Sequence, residues 1–340
     1  MRDRGARERL LEILDRFPRC RLAVVGDLIA DEFLHGQIAR VSREAPVLVL
    51  EYRDLVSAPG GAANAAHNLL DLRCGVSVAG AVGLDAAGRT LLRQLAGKGA
   101  DLAGVRRLRA YATPVKTRIL AGAQHSGLQQ IVRIDRVSQL DGAAEFGAGS
   151  LRRTLAGCDG AILSDYGYGM AGPAQLAAVR SYARKRRIPL VADSRFRLLD
   201  FPGVTSLTPN ITELEAALGR AIGSQPARVA RAAREVLERL HLETLLVTQG
   251  RFGMTLVERG RPAVHIPIFG TDEVADVTGA GDTVIATFTA ALACGAEPVD
   301  AARLANYAAG LVGMKRGTAT VALEELRDAV ARDRTPRVRA

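Results

Sequence analysis

Near the C-terminal end the sequence runs Asp276-Val277-Thr278-Gly279-Ala280-Gly281-Asp282 and then enters the apolar stretch Thr283 to Cys294. The small residues Gly279, Ala280 and Gly281 leave backbone N–H groups open at a helix start, a concavity suited to anions. Asp282 falls in the first turn of that helix, where the dipole favours the charged form and the carboxylate can be aimed at a substrate hydroxyl. A base beside an anion cradle is the equipment of phosphoryl transfer. Val284, Phe288 and Leu292 recur every fourth position, so the expected helix is buried. Taken alone, the segment also fits an ordinary capped helix after a tight turn.

Other groups with chemical potential sit at the ends of apolar runs. Arg21–Gly26 ends in Gly26-Asp27, with Asp31 four residues on, and carboxyl ends of strands are where open α/β sheets collect ligands. Asp27 and Asp31 are therefore candidates for sugar hydroxyls, as is Asp165 at the end of Ala161–Asp165; each also suits a loop or cap. Pro59-Gly60-Gly61-Ala62-Ala63-Asn64 opens a helix of small residues, where Gly60 and Gly61 permit close backbone approach and Asn64 offers an amide. Asn210 and Glu213 are neighbours on a helix face; the pair suits either a hydrated Mg²⁺ or a capping box. Thr248-Gln249-Gly250-Arg251-Phe252-Gly253 follows a strand and supplies glycines and N–H groups near a phosphate or ribose. Lys116 and Arg118 share one face of an alternating strand, and with Arg133 they could grip a phosphate already on the substrate, or stand as solvated edge charges.

These groups need a frame. Strands are expected at Arg21–Gly26, Val76–Val82, Gly160–Ser164, Leu190–Asp193, Leu245–Thr248 and Thr255–Glu258. Helices are expected at Arg7–Phe17, Ala62–Leu72, Gly88–Gly97, Pro173–Arg186, Ile211–Leu218, Pro226–Leu240, Asp282–Ala293, Pro298–Lys315 and Ala322–Arg332. Such alternation specifies an α/β fold with a mixed, mostly parallel sheet flanked by helices. Val41–Leu55 and Pro114–Arg136 read as strands without intervening helices. They suggest a small antiparallel β-sheet lid from about residues 35–57 and 111–137, or two edge hairpins of the main sheet. One domain over 1–340 is expected, with 331–340 a disordered basic tail.

Composition narrows the classes. An apolar fraction of 48% supports a sizeable core. No apolar run approaches a membrane span, and the charged N-terminus lacks a signal-type block, so a cytoplasmic protein without membrane partners is expected. Cys20, Cys74, Cys158 and Cys294 form no Cys-x-x-Cys pair and read as reduced, mostly buried side chains. Net charge is +10, yet lysine supplies only four of the 46 basic residues, aromatics are 4% and Trp is absent. Stacking platforms for nucleic acid are therefore poorly supplied, and none is expected as a partner. G-x-x-x-x-G-K-[ST], G-x-G-x-x-G after the first strand, zinc spacings and G-x-S-x-G are all absent.

In order along the chain, Gly26-Asp27 with Asp31, Pro59-Gly60-Gly61 with Asn64, Asn210 with Glu213, and the block ending at Asp282 resemble the PfkB (ribokinase-like) sugar kinases from about Leu22 to Leu326. Within that family the chain is most similar to heptose-7-phosphate kinases. Val41–Pro46, Lys116-Thr117-Arg118, Gln130–Asp135, Ser164-Asp165-Tyr166, Leu207–Asn210 and Val274–Asp282 carry that likeness. The resemblance implies a ribokinase-like fold with a lid that often dimerises, ATP with Mg²⁺, and Asp282 as base toward a sugar or sugar-phosphate hydroxyl. It further implies that Asp27, Asp31, Gly60, Gly61, Asn64 and Asp165 line the sugar site. Asn210 and Glu213 would then organise Mg²⁺ and phosphates, while Thr248, Gly250, Gly253 and Asn306 border the nucleotide. Three positions depart from the heptose kinases: Tyr168 stands where Lys is usual, Asp193-Ser194-Arg195 replaces Asp-Pro-Lys, and Arg43 replaces Pro. They bear on which sugar is recognised.

Overall fold

The computed structural model describes residues 2–122, 128–140, 146–270, 278–315 and 317–333. Its first half contains α1 (Arg2–Leu14), β1 (Arg21–Gly26), β2 (Leu28–Val41), β3 (Leu48–Gly61), α2 (Ala62–Asp71), β4 (Gly75–Gly83), α3 (Ala86–Gly97) and β5 (Asp101–Leu108). Then follow β6 (Val115–Gly122), β7 (Gln129–Arg136), α4 (Ala148–Leu155), β8 (Gly160–Asp165), α5 (Pro173–Arg186), β9 (Leu190–Ser194), β10 (Ser206–Leu207) and α6 (Ile211–Leu218). The remainder is α7 (Pro226–Leu240), β11 (Thr244–Thr248), β12 (Met254–Glu258), β13 (Val264–Ile266), α8 (Ala280–Ala293), α9 (Pro298–Gly313) and α10 (Leu323–Arg332).

Burial alternates along the central strands and sets the layers. In β1, Leu22 and Val24 join one core while Ala23 and Val25 join the other. A strand apolar on both faces needs cover on both, which parallel sheets with crossover helices supply. The large sheet runs β13-β12-β11-β10-β9-β8-β1-β4-β5, parallel except for the β11–β12–β13 edge. Helices α1, α2, α3, α8, α9 and α10 contribute to one core, and α4 to α7 to the other. This is the α/β architecture expected from the alternation, in the ribokinase-like form the resemblance implies.

The second sheet has four strands in the order β3-β2-β6-β7 and forms the lid. β3–β2 and β6–β7 pair antiparallel as expected, but β2 and β6 run parallel, because the chain passes through β3, α2, β4, α3 and β5 between them; Asp31 pairs with Lys116, Phe33 with Arg118, and Arg118 with Arg133. Because the side-chain period is two, Asp31, Lys116, Arg118 and Arg133 share one face, while Leu55, Val132 and Ile134 lie on the other. The sheet reaches from Leu28 and up to Gly61, further than the alternation suggested. Register shifts at His35/Gly36 and Ile38/Arg40 interrupt the period there.

Four elements had no clear signature. β10 and β13 are two and three residues long, β5 is an edge strand carrying Gly104, Arg106 and Arg107, and α4 is a single short helix. α1 ends at Leu14, and Phe17–Arg19 forms a separate 3₁₀ turn around Pro18. Cys20, Cys74 and Cys158 are buried and Cys294 half-buried, all as free thiols. Among the described residues, no helix is long and apolar enough to cross a membrane. Asp276 and residues 334–340 of the basic tail lie outside the described residues.

Candidate active site

Gly279 caps α8 at φ 80°, a left-handed conformation that bends the chain into the helix. Asp282 follows in the first turn and is 5% exposed. Its carboxylate is held from both sides: Asn64 Nδ2 donates to Oδ2 at 2.8 Å, and the Tyr166 hydroxyl donates to Oδ1 at 2.9 Å. Asn64 is itself oriented by Asn68 Nδ2, which donates to Asn64 Oδ1 at 3.2 Å, and Thr283 Oγ1 donates to Asn68 Oδ1 at 2.9 Å. Removal from water pushes the Asp282 carboxyl up to about 6, against the hydrogen bonds from Asn64 and Tyr166 that favour the charged form. Desolvation thus outweighs the hydrogen bonds and the helix start, yet a carboxyl at about 6 is still largely ionised at neutral pH, with its proton affinity close to working pH.

A cavity of ≈ 580 Å³ opens above this carboxylate. It gathers Asp31, Gly61, Lys116, Arg118 and Arg133 from the lid side, Gly279, Ala280, Gly281 and Asp282 from α8, and Asn210, Glu213, Thr248, Gly250, Gly253 and Asn306 from the large sheet and its helices. Residues from segments more than two hundred positions apart therefore meet in one place.

On the lid side, the expected three-cation clamp is divided by the structure. Arg118 Nη1 pairs with Asp31 Oδ1 at 2.8 Å, and Arg133 forks onto Asp135 at 2.8 and 2.9 Å. Lys116 instead lies with Nζ 4.7 Å from the centroid of the Tyr166 ring. Among the described residues neither Lys116 nor the cavity-lining Arg195 has a carboxylate at ion-pair distance. Desolvation and the nearby Arg195 charge both push the Lys116 ammonium below its ordinary value.

At the opposite end, Asn210 and Glu213 form a capping box: Glu213 N–H donates to Asn210 Oδ1 and Asn210 N–H donates to Glu213 Oε2, both at 2.9 Å. The helix-capping alternative is thus realised, and both residues still line the cavity. Asp193 lies nearby, and desolvation together with the Glu213 charge raises its carboxyl well above the usual range. Glu213 is raised as well, again mainly by desolvation. At Gly253, with φ 85°, a Cβ would stand 2.1 Å from the Ile266 carbonyl oxygen, so only glycine fits. Asn306 donates from Nδ2 to the Pro267 carbonyl at 2.9 Å.

Four expected sugar-site residues stand behind the wall. Asp27 accepts three backbone N–H bonds, from Tyr166 and Tyr168 on Oδ2 and from Met170 on Oδ1, so its carboxylate shapes the loop after β8. Asp165 is taken up by Ser194 Oγ at 2.6 Å and Arg197 Nη2 at 2.7 Å. Asn64 reaches Asp282 and not the open cavity. Gly60 makes room for Asp31, since a Cβ there would lie 2.7 Å from Asp31 Oδ2.

Other cavity groups were not among the expected site residues, although the Asp193-Ser194-Arg195 departure had already marked two of them. Tyr166, Asp193 and Arg195 line it, as does Thr208, whose buried Oγ1 has no partner among the described residues. Tyr166 and Thr208 fall inside motifs that bore the family likeness, and their position next to Asp165 and Asn210 was the available clue. Asn68 had none beyond sharing a face with Asn64 at four-residue spacing.

The fold and this site define a carbohydrate kinase of the ribokinase-like class. Residues 172–326 match the model described as the pfkB family carbohydrate kinase, and the chain belongs to that family, whose members are phosphotransferases with an alcohol group as acceptor. Among curated relatives, the Bifunctional protein HldE of Geobacter metallireducens is 45% identical over 307 residues, 89% of this chain and 61% of the relative. That of Azotobacter vinelandii is 41% identical over 321 residues, 94% of this chain and 65% of the relative. The chain thus spans about three fifths of the length of the curated relatives it matches. Among solved structures, Arabidopsis thaliana ribokinase complexed with ribose and ATP superposes with a TM-score of 0.71 at 20% identity, covering 92% of this chain and 98% of that one. Escherichia coli phosphofructokinase-2 in complex with substrates and products gives 0.71 at 19% identity over 92% and 98%. These two likenesses bear on the fold alone.

Proposed function

We propose that this chain transfers the γ-phosphoryl group of ATP to a hydroxyl of a phosphorylated sugar, with a heptose 7-phosphate as the acceptor and a heptose 1,7-bisphosphate as the product. The observation that carries the reading is a desolvated, doubly hydrogen-bonded Asp282 at a glycine-flanked helix start on the wall of a cavity that also holds Lys116 and Arg195, which have no carboxylate at ion-pair distance among the described residues. Asp282 accepts the proton as the hydroxyl oxygen forms its bond to the γ-phosphorus and the bond to the departing ADP breaks. Backbone N–H groups of Gly279 to Gly281 face the transferring group, where fixed dipoles act without reorganising. Thr248, Gly250, Gly253 and Asn306 border the nucleotide.

Mg²⁺ suits the acidic end of the cavity: Glu213 and Asp193 are carboxyls that desolvation and mutual repulsion make hard to ionise together, and a divalent cation relieves that conflict. Asn210 and Glu213 would hold it through water, in keeping with an ion that takes few protein ligands. When bound it would supply charge neutralisation on the phosphates.

The heptose phosphate reading rests on the motif likeness to heptose-7-phosphate kinases and on Lys116 and Arg195, two cations that face the cavity with no carboxylate at ion-pair distance among the described residues. An ATP-coupled screen of phosphorylated against unphosphorylated sugars tests it. Phosphorylated acceptors are expected to win by at least tenfold in kcat/KM, and Lys116→Met to lower that preference by a similar factor, about the worth of one charge-assisted contact. Equal rates on both sets would return the protein to the simple sugar kinases.

Self-association through the lid is supported by Leu55, Val132 and Ile134, which are 47%, 46% and 56% exposed on its outer face. Sedimentation at micromolar concentration is expected to give a dimer; a monomer would remove this part of the proposal. We place the activity in the cytoplasm, in line with four free thiols.

A further inference from the structure

We infer that Tyr166 is a positioning residue for the reaction: its hydroxyl fixes Oδ1 of Asp282 and, with Asn64 on Oδ2, leaves the carboxylate able to take a proton only from the cavity side. The inference rests on the kinase reading above and deepens it at the same site. Each carboxylate oxygen has one fixed donor, Tyr166 at 2.9 Å and Asn64 at 2.8 Å. Those two bonds orient the carboxylate plane, because rotating it breaks both at once. A base must meet its proton within hydrogen-bond reach, so this orientation is worth more than the two bonds contribute to stability.

Tyr166 is in turn fixed from two directions. Its backbone N–H donates to Asp27 Oδ2 at 2.8 Å, which sets the loop, and Lys116 Nζ covers its ring at 4.7 Å, which sets the plane. Lys116 belongs to β6 of the lid, so the lid touches the base through this ring. Burial and the Asp282 charge hold the phenol proton on, so Tyr166 stays a donor throughout the working range. The charged or titratable groups facing Asp282 are Asp31 from β2, Lys116 from β6, Tyr166 from the loop after β8 and Asp193 from β9. Of these, Tyr166 is the one that hydrogen-bonds the carboxylate.

Tyr166→Phe keeps the ring, its packing and the face offered to Lys116, and removes only the hydroxyl. Without that donor the ionised form of Asp282 loses a favourable bond, so its carboxyl should hold a proton to higher pH. The acid limb of kcat/KM is then expected to move up by about one pH unit, and kcat to fall about tenfold with KM little changed, the size expected for one hydrogen bond to a charged group. Circular dichroism and a melting curve check that the variant folds.

Combining Tyr166→Phe with Asp282→Asn separates positioning from mere packing. If the hydroxyl acts through the base, the double variant should be no slower than Asp282→Asn alone. An unshifted acid limb together with losses that multiply in the double variant would overturn the inference while leaving the kinase reading intact. Should Asp282→Asn itself retain the full rate, the kinase reading would be the one to fail.

Discussion

Asp282→Asn is expected to lower kcat by about 10²-fold or more while the protein still folds, measured by an ADP-release assay beside a melting curve. General-base catalysis contributes about 10²–10⁴-fold, and an amide cannot take the proton from an attacking hydroxyl. The substitution changes no volume and removes a desolvated charge, so the melting temperature should hold or rise. One acceptor oxygen remains for Asn64, and the Tyr166 hydroxyl can turn to accept from the new amide. The wild-type profile should lose activity as pH falls through about 6, the value to which desolvation raises Asp282. The sign follows from the role: the base works deprotonated, so activity is full above that value and disappears below it. The residual rate of Asp282→Asn should lack this limb. A variant that turns over at the wild-type rate, or that keeps the limb, would remove Asp282 from the chemistry.

Gly279→Ala should be the next most damaging single change, through geometry alone. Gly279 sits at φ 80°, where a side chain costs roughly 1–2 kcal/mol, and a Cβ there would stand 2.6 Å from Asn64 Nδ2. The amide must retreat, and Asp282 loses the donor on Oδ2. A kcat loss above about tenfold, with a melting temperature lower by several degrees, is expected. Gly281→Ala is the contrast, because nothing lies within 4 Å of a Cβ at that position. It should fold as well as the wild type and show its effect as a raised KM for ATP, since the added methyl enters the cavity. Equal behaviour of the two variants would mean that the Gly279–Asn64 contact does not govern the base.

Much of the frame could be read from the sequence because its signals are local. The alternation of apolar runs with helical patterns located the central strands, and three small residues ahead of an acid located the carboxylate that the structure places on the cavity wall. Asp27 and Asp31 show what local signals leave out. Both are acids after the same strand, yet Asp27 turns inward to the N–H groups of Tyr166, Tyr168 and Met170, while Asp31 lies on the cavity face of β2. Only the crossing from one sheet to the other decides which carboxylate faces the cavity. Tyr166 was missed for a related reason: its bond to Asp282 joins positions 116 residues apart. The clamp was half legible, since strand periodicity put Lys116 and Arg118 on one face, but the carboxylates that occupy Arg118 and Arg133 come from β2 and β7.

The loop that follows β8 is fastened by main-chain hydrogens gathered on one buried carboxylate, and Gly167 and Gly169 take the positive φ angles of its turns, so the side chain between them has little say in its shape. Evolution can therefore exchange the residue at its tip without disturbing the tyrosine that steadies the base. Tyr168, at a position where the resemblance to heptose kinases leads one to expect lysine, is the kind of substitution such a loop tolerates.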